Sequence, residues 1–283
     1  MIVITAASGQ LGRLVIDSLL QKLPANEIVA AVRNPDRAKD LAARGIQVRH
    51  ADYDQPETLL TALQGADKLL MISSSEVGRR VPQHRAVIDA AQRACVKLLA
   101  YTSILHADTS PLPLAAEHKE TESILRASGI PFVLLRNGWY TENYLASIPA
   151  ALQHGVYLGS AGEGRIASAA RADYAAAAAA VLTLDQQAGR VHELAGDAAY
   201  TLAELAAEIA QQAGKPVAYK NLPEAEFRSV LIGAGLPEGL ATLLAESDVG
   251  ASKDGLFDDS RQLSQLIGRP TSPLAPLVRA ALQ

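Results

Sequence analysis

The sequence predicts an α/β fold, in which a doubly wound parallel sheet of the Rossmann-like type is followed by a smaller, mostly helical C-terminal lobe. Two observations lead to this prediction. Apolar, strand-like runs alternate with amphipathic helical segments through the first half of the chain. The first twelve residues follow the order strand, small-residue turn and helix, which is the order that opens a dinucleotide-binding unit.

The opening strand is the β-branched run 2–4, and apolar residues recur at helical spacing over 10–23. Between them, Gly9 and Gly12 stand three residues apart. This is the Thr-Gly-x-x-Gly-x-x-Gly pattern of short-chain dehydrogenases with Ala6 at the first glycine. We expect the turn and the helix N-terminus to receive a pyrophosphate, a tight turn without a ligand being the alternative. We also expect Ala6 to keep a negative φ, because its Cβ disfavours the left-handed region.

The later elements continue the alternation. Thr201 and Glu204 form a capping box before one helix, 155–168 is expected to form short strands or loops, and the tail 223–283 is mostly helical. We assign 1–136, with a return segment near 171–195, to a NAD(P)-binding domain, and 137–283 to a substrate lobe interleaved with it. The further predicted strands are 27–32, 46–50, 68–73, 96–102, 131–136 and 191–195, and the further predicted helices are 36–44, 56–63, 83–94, 115–127, 141–152, 172–184 and 201–213.

Composition excludes several classes of protein. The chain has 283 residues and a net charge of −4 with no basic run, so nucleic acid is not an expected partner. Cys95 is the single cysteine, which excludes an internal disulfide, and we expect it to be a buried, inert thiol. The longest apolar run, 175–184, is too short to cross a bilayer. With no signal-peptide pattern and no metal-ligand spacing, we expect a cytoplasmic protein without a metal site.

Ligands of an open parallel sheet bind at the carboxyl ends of its strands. Arg33 follows the second strand, where a guanidinium suits a 2′-phosphate, so NADP(H) is favoured over NAD(H). Asp52 and Tyr53 follow the third strand and could hydrogen-bond to and stack on adenine. The segment after the fourth strand offers small side chains and N–H groups along the cofactor, and it consists of Ser73, Ser74 and Ser75.

Common catalytic patterns are missing from the sequence. None of the eight tyrosines has a lysine four residues later, which argues against the usual alcohol–ketone proton relay. There is no Gly-x-Ser-x-Gly nucleophile elbow. The histidines His84, His106 and His118 have no metal-ligand spacing, and we interpret each as a surface or capping residue unless its position indicates otherwise. His106 is the best placed, because it follows the fifth strand.

The chain resembles the NmrA-like atypical short-chain dehydrogenases over nearly its whole length. The similarity is carried by residues 4–12, 32–35, 135–143, 170–175 and 193–196. Within that family, segments 73–78, 101–110 and 248–252 resemble the bacterial NAD(P)H:quinone oxidoreductases of type 2. Two positions depart from the family: Ala6 replaces the usual first glycine, and His118 stands where many relatives have lysine.

The resemblance implies NADPH bound by the Rossmann-like domain, a quinone pocket between that domain and the smaller lobe, and hydride transfer to the quinone without a flavin. The resemblance, taken position by position, and the location of ligands at the carboxyl ends of the strands together give the expected cofactor contacts. These are Ala6, Ala7, Ser8, Gly9, Gln10, Leu11, Arg33, Asp52, Tyr53, Ser73, Ser74, Ser75, Gly138, Trp139, Tyr140, Thr141, Glu142 and Asn143.

A quinone accepts hydride readily, so a strong acid is unnecessary and a neutral donor could support the forming hydroxyl. The candidate donors are Asn143, Tyr140 and His106, with Trp139 and Tyr140 walling the quinone. Two alternatives stay open from the sequence. One is an NADP(H)-binding redox sensor that signals to a partner, which fits the missing tyrosine–lysine pair equally well. The other is an enzyme acting on another electron-poor or isoprenoid substrate.

Overall fold

A computed structural model describes residues 1–283. Seven strands form one sheet in the order β3-β2-β1-β4-β5-β6-β8, and two strands pair in a second sheet, β7 with β9. Every neighbouring pair from β3 to β6 is parallel. The predicted α/β fold with a parallel, doubly wound sheet is therefore confirmed. The strands are β1 (Ile2–Ile4), β2 (Ile28–Val32), β3 (Gln47–His50), β4 (Lys68–Met71), β5 (Leu98–Ile104), β6 (Phe132–Asn137), β7 (Val156–Gly159), β8 (Val191–Leu194) and β9 (Ala218–Asn221).

Thirteen α-helices and two short 3-10 helices (Ala25–Glu27 and Pro35–Ala38) complete the chain, and none of these helices is long and apolar enough to cross a membrane. The α-helices are α1 (Gln10–Leu20), α2 (Lys39–Ala43), α3 (Pro56–Ala62), α4 (Arg80–Arg93), α5 (Ala115–Ala127), α6 (Thr141–Leu145), α7 (Ile148–His154), α8 (Arg171–Thr183), α9 (Leu202–Ala213), α10 (Glu224–Gly233), α11 (Glu238–Ala251), α12 (Gln262–Ile267) and α13 (Leu274–Ala281).

The order of the large sheet places its topological switch at β1. The chain pairs β1 with β2 on one side and with β4 on the other. In open α/β sheets a ligand binds outside the carboxyl ends of the strands at such a switch. Strands β1, β2 and β5 are buried along their whole length, as expected for a sheet with helices on both faces.

The chain divides into two compact units. The first consists of Met1–Ala107, Ala116–Asn137 and Ala172–His192, and the second of Asp108–Ala115, Gly138–Arg171 and Glu193–Gln283. Neither unit is continuous in sequence. The predicted division at residue 136 into a cofactor domain and a substrate lobe stays a prediction.

The second unit contains a small parallel sheet and most of the later helices. At the end of β7, the backbone N–H of Ser160 donates to the carboxylate of Asp248 at 2.8 Å, and burial raises the pKa of that carboxyl to about 6. The capping box of α9 is present, with the Thr201 hydroxyl accepting from the N–H of Glu204 and the Glu204 carboxylate accepting from the N–H of Thr201. The sequence signal for this helix start is thus confirmed.

Two predicted elements differ from the structure. The expected helix through Leu152 is two helices, α6 and α7, because Pro149 lies in the first turn of α7 and has no N–H with which to continue a helix from α6. Strand β9 was not predicted, since two of its four residues, Lys220 and Asn221, are exposed and polar and give little apolar signal.

Cys95 is exposed, so the prediction of a buried thiol is wrong. The residue lies in the turn between α4 and β5 with a φ of 54°, and its N–H donates to the carbonyl of Gln92. A left-handed residue just after a helix is typical of a C-terminal cap, and such turns lie at the surface.

Candidate functional site

The turn between β1 and α1 leaves the start of the helix open. Gly9 is the residue before the helix, it makes no side-chain cap, and the first turn holds no acidic residue. A Cβ at Gly12 would lie 2.6 Å from the Cα of Ala7 and 2.8 Å from the carbonyl oxygen of Ala6, so only glycine fits there. The N–H groups of the first turn are therefore available to an anion, and the positive end of the helix dipole adds to that preference.

Ala6 corrects one expectation. Its φ is 49°, in the left-handed region, whereas a negative φ was predicted. The conformation closes a short turn in which the N–H of Gly9 donates to the carbonyl of Ala6 at 2.9 Å. This turn demands the conformation that glycine adopts without strain, which explains the glycine expected at this position, and Ala6 adopts it at a cost.

Tyr53 and Thr5 join the ends of two strands. The Tyr53 hydroxyl lies 2.6 Å from Thr5 Oγ1 and 2.7 Å from the carbonyl oxygen of Ile72, and burial raises its pKa. The Thr5 hydroxyl donates to the carbonyl of Leu70. The Tyr53 hydroxyl thus makes its hydrogen bonds within the protein. The stacking of its ring on adenine stays a prediction.

Asp52 also has local partners. Its Oδ1 accepts from the N–H of Asp54 at 3.0 Å, and its Oδ2 accepts from the side-chain amide of Gln55 at 3.2 Å. These contacts form a turn after β3, where Asp residues are favoured for this reason. A hydrogen bond from this carboxylate to a cofactor stays a prediction.

Arg33 follows β2 and is 70% exposed. Its Nη1 lies 3.1 Å from Glu76 Oε1, and Arg79 Nη1 approaches the other oxygen of that carboxylate at 3.2 Å. The pairing draws the Arg33 side chain toward the loop after β4. An exposed pair of this kind contributes little to stability, so the guanidinium can exchange its partner for a phosphate at small cost.

The backbone of the segment after β4 is held by side chains of the same unit. The N–H of Ser73 donates to Thr102 Oγ1 at 2.8 Å, and the N–H of Ser74 donates to His84 Nε2 at 2.9 Å. The carbonyl of Ser74 accepts from Arg80 Nε at 2.6 Å. Sequence reasoning missed this arrangement, because neither the histidine nor the arginine belongs to a recognisable motif.

His84 and His118 are buried, although both were interpreted as surface or capping residues. Burial and the positive charge of Arg80 lower the pKa of His84 to about 3 and that of His118 well below its usual value. Tyr101 OH lies 2.7 Å from His118 Nδ1, and burial raises the pKa of this phenol. The three rings thus form a buried, hydrogen-bonded network in which burial disfavours charge.

Beside this network lies a buried ion pair. Arg136 Nε and Nη2 donate to the two oxygens of the Glu122 carboxylate at 2.9 and 2.7 Å, and the Ser103 hydroxyl donates to Glu122 Oε1 at 2.6 Å. The bidentate geometry fixes the ends of β5 and β6 to helix α5. It is a structural clamp at the strand ends, and its pattern was not apparent in the sequence.

In the second unit, Arg171 brings together three of the predicted site residues. Its guanidinium carbon lies 4.5 Å above the ring centre of Tyr140, and its Nη2 lies 3.5 Å from Asn143 Oδ1. The Glu142 carboxylate accepts from the backbone N–H of Arg171 at 2.9 and 3.1 Å, capping α8. Arg171 was not predicted as a site residue, although it lies in a segment that carried the family resemblance.

The remaining predicted residues divide by environment. Thr141 is buried, and its hydroxyl lies 2.8 Å from Ser168 Oγ, which in turn lies 2.6 Å from Tyr200 OH. Trp139 and His106 are half-buried and each makes contacts within the protein, and His106 has a φ of 52°. Their roles, like those of Gly138 and the other predicted contacts, stay predictions. No group of three or more potential ligands is placed to hold a metal ion.

Comparison with known proteins identifies the relatives. Residues 6–185 match the NAD(P)H-binding family model. The chain is 64% identical to quinone oxidoreductase 2 of Escherichia coli (strain K12), over 98% of this chain and 97% of that protein. The NADPH-dependent quinone oxidoreductase of Escherichia coli, solved with NADPH, superposes with a TM-score of 0.98 at 62% identity over all of both chains.

More distant relatives share the fold and the family. The triphenylmethane reductase of Citrobacter sp., solved with NADP(H), has a TM-score of 0.96 at 38% identity, covering 99% of this chain and 100% of that one. An NmrA-like oxidoreductase of Aspergillus flavus is 28% identical over 79% of this chain and 75% of its own length. These findings confirm the resemblance drawn from the sequence, and the chain belongs to the NAD(P)H-binding family and, within it, to the family of quinone oxidoreductase 2.

Proposed function

We propose that this protein is an NADPH-dependent quinone oxidoreductase that reduces its acceptor by direct hydride transfer, without a flavin. The observation that carries the proposal is the open N-terminus of α1 beside Gly9 and Gly12, in a chain 64% identical to a quinone oxidoreductase. The quinone is a small-molecule substrate. The expected cytoplasmic location and the expected absence of a nucleic-acid partner are predictions.

The residues at the strand ends fit NADPH. The uncapped first turn of α1 and the absence of a side chain at Gly12 suit a pyrophosphate. Arg33 suits the 2′-phosphate, because its exposed guanidinium can take a phosphate in place of the Glu76 carboxylate. The Ser73–Ser75 segment would lie along the cofactor. Asn137 adds a further polar group, since its buried Oδ1 at the carboxyl end of β6 has no hydrogen-bond partner within the protein.

Bound NADPH supplies a hydride, which brings both electrons to the quinone, and a proton from solvent completes the hydroquinone. The chain's part is to orient the acceptor and stabilise the oxygen that gains negative charge. The Arg171 guanidinium lies against the Tyr140 ring and beside Asn143 Oδ1, so it is the cation that we propose to stabilise this quinone oxygen. The Asn143 side-chain amide would donate a hydrogen bond to the same oxygen, and the Tyr140 ring would hold the guanidinium in place.

The redox-sensor alternative receives less support. The relatives that match nearly the whole chain at 30% identity or more are named as oxidoreductases and reductases. Tight NADPH binding without turnover on any quinone would favour it again.

The deciding experiment measures NADPH oxidation by purified, flavin-free protein against a panel of benzoquinones and naphthoquinones. We expect turnover without added flavin and a slower chemical step, in single-turnover measurements with excess enzyme, when the transferred position of NADPH carries deuterium. Replacing Asn143 with alanine should slow that step more than it weakens NADPH binding. Ping-pong kinetics or a flavin requirement would contradict direct transfer.

A further inference from the structure

The backbone of Ser74 is held by a buried imidazole that no sequence motif indicates. The N–H of Ser74 donates to His84 Nε2 at 2.9 Å, and the His84 side chain is 0% exposed. The imidazole is fully buried, and a buried acceptor left without a partner is costly, so this bond fixes the position of the half-buried Ser74 peptide. The segment it fixes follows β4, next to the topological switch of the sheet.

The bond requires one tautomer of the imidazole. Nε2 must be unprotonated to accept from Ser74, so the proton must lie on Nδ1. Thr121 enforces this, because its hydroxyl donates to the carbonyl of Glu117 at 2.8 Å and therefore accepts at 2.9 Å from His84 Nδ1–H. Burial and the nearby charge of Arg80 also lower the pKa of the ring to about 3, so the ring stays neutral. The chain of donors runs in one direction from Ser74 through His84 and Thr121 to α5.

We propose that His84, oriented by Thr121, is a positioning residue for NADPH, which holds the Ser73–Ser75 backbone in the conformation that binds the cofactor. This inference goes beyond the proposed function and rests on it, since it assumes that the segment contacts NADPH. Arg80 and Thr102 hold the neighbouring peptide groups, so losing the His84 bond loosens one point of the segment and leaves the strand intact.

Two substitutions of His84 separate the effect of its hydrogen bond to Ser74 from the effect of its packing. A glutamine at position 84 can place its side-chain oxygen near the Nε2 position and keep an acceptor for Ser74, whereas an asparagine reaches only as far as Nδ1. We expect His84→Asn to raise the Kd and the KM for NADPH about five- to thirtyfold. We expect kcat at saturating NADPH and the KM for the quinone to change little. His84→Gln should restore the NADPH affinity to within about threefold of the original protein.

The affinities are measured by NADPH fluorescence titration, and the Ser74 amide is followed by proton exchange in NMR. The exchange should accelerate in His84→Asn and stay slow in His84→Gln. Equal losses of affinity in the two variants, or unchanged affinity in a folded His84→Asn protein, would overturn the inference. If His84→Asn does not fold, Thr121→Val against Thr121→Ser provides the same contrast, and equal NADPH affinities in that pair would overturn it as well.

The original protein is titrated in the same series. A failure of that protein to bind NADPH would refute the proposed function and, with it, this inference. Normal binding and turnover by the original protein, with no difference between the paired variants, would refute the inference alone.

Discussion

Two helices of the first unit follow neighbouring strands and begin in opposite ways. Helix α1, after β1, has no side-chain cap at its N-terminus. At the start of α4, after β4, the Glu117 carboxylate accepts from the N–H groups of Gly78 and Arg80 at 3.1 and 3.2 Å. Both helices have the same unsatisfied N–H groups in principle, and only one receives an acceptor from the protein. The comparison supports the proposal that a phosphate group binds at the start of α1, where the first turn receives no side-chain acceptor from the protein.

The largest effect is expected when a side chain is added in the first turn of α1, where it would meet the backbone of the preceding turn. Gly12→Ala would place a Cβ 2.6 Å from Ala7 Cα, and the overpacking should cost about 1–3 kcal/mol of turn stability, with NADPH affinity falling about a hundredfold. Isothermal titration and thermal unfolding measure the two effects. Gly233→Ala is the matched control, because a Cβ there meets nothing within 4 Å, and it should leave the NADPH affinity unchanged. Full NADPH affinity in Gly12→Ala would contradict the assignment of the turn.

The second test concerns the anion at the far end of the cofactor. Arg33→Ala should weaken NADPH binding about ten- to a hundredfold, because a charge-assisted contact to the 2′-phosphate is lost. NADH lacks that phosphate and should bind the variant nearly as it binds the original protein. Competition titration with the two cofactors measures this, and equal weakening of both would show that Arg33 has only a structural role.

The third test removes the cap from the other helix. Glu117→Ala should lower the free energy of unfolding by about 0.5–2 kcal/mol, since two N–H groups at the start of α4 lose their acceptor. Glu117→Gln keeps one acceptor oxygen and should lose less. Urea unfolding measures the stability of both variants. Glu120→Ala is the control, because Glu120 is exposed and lies on α5 as Glu117 does. Equal stability in all three variants would mean that the Glu117 contacts contribute nothing.

The smallest effect is expected from a substitution of Ala6, in the turn before α1. Ala6→Gly should relieve a left-handed alanine, and we expect an increase of up to about 1 kcal/mol in the free energy of unfolding together with equal or slightly tighter NADPH binding. The gain is limited because glycine also makes the unfolded chain more flexible. A clear loss of NADPH affinity would contradict the geometry described for this turn.

The sequence predicted the architecture because periodicity and turn residues are local signals. The alternating strands and helices, the Gly9–Gly12 turn and the Thr201 capping box all appear within a few consecutive residues. The sign of φ at Ala6 was wrong, because the turn's closing hydrogen bond overrides the intrinsic preference of alanine. Short polar β9 gave no signal.

The contacts around the candidate site could not be read from the sequence, because they join residues far apart in the chain. His84 meets Thr121 across 37 positions, and Arg171 meets Asn143 across 28. The residues next to His84 and Arg171 in the sequence do not indicate which distant residue each side chain contacts. The family resemblance supplied positions for the cofactor, and only the folded chain shows which of these side chains already have partners, as Tyr53 and Glu142 do.

The exposed thiol of Cys95 has a practical consequence. It is the only cysteine, and it lies before β5, at the edge of the sheet opposite the carboxyl ends of the strands. A single maleimide dye would therefore label the protein at one known point, about 20 Å along the strand from the predicted cofactor edge. The same thiol allows air oxidation to link two molecules through one disulfide. Sizing of this protein in solution therefore requires a reductant, or a covalent dimer will be mistaken for a native one.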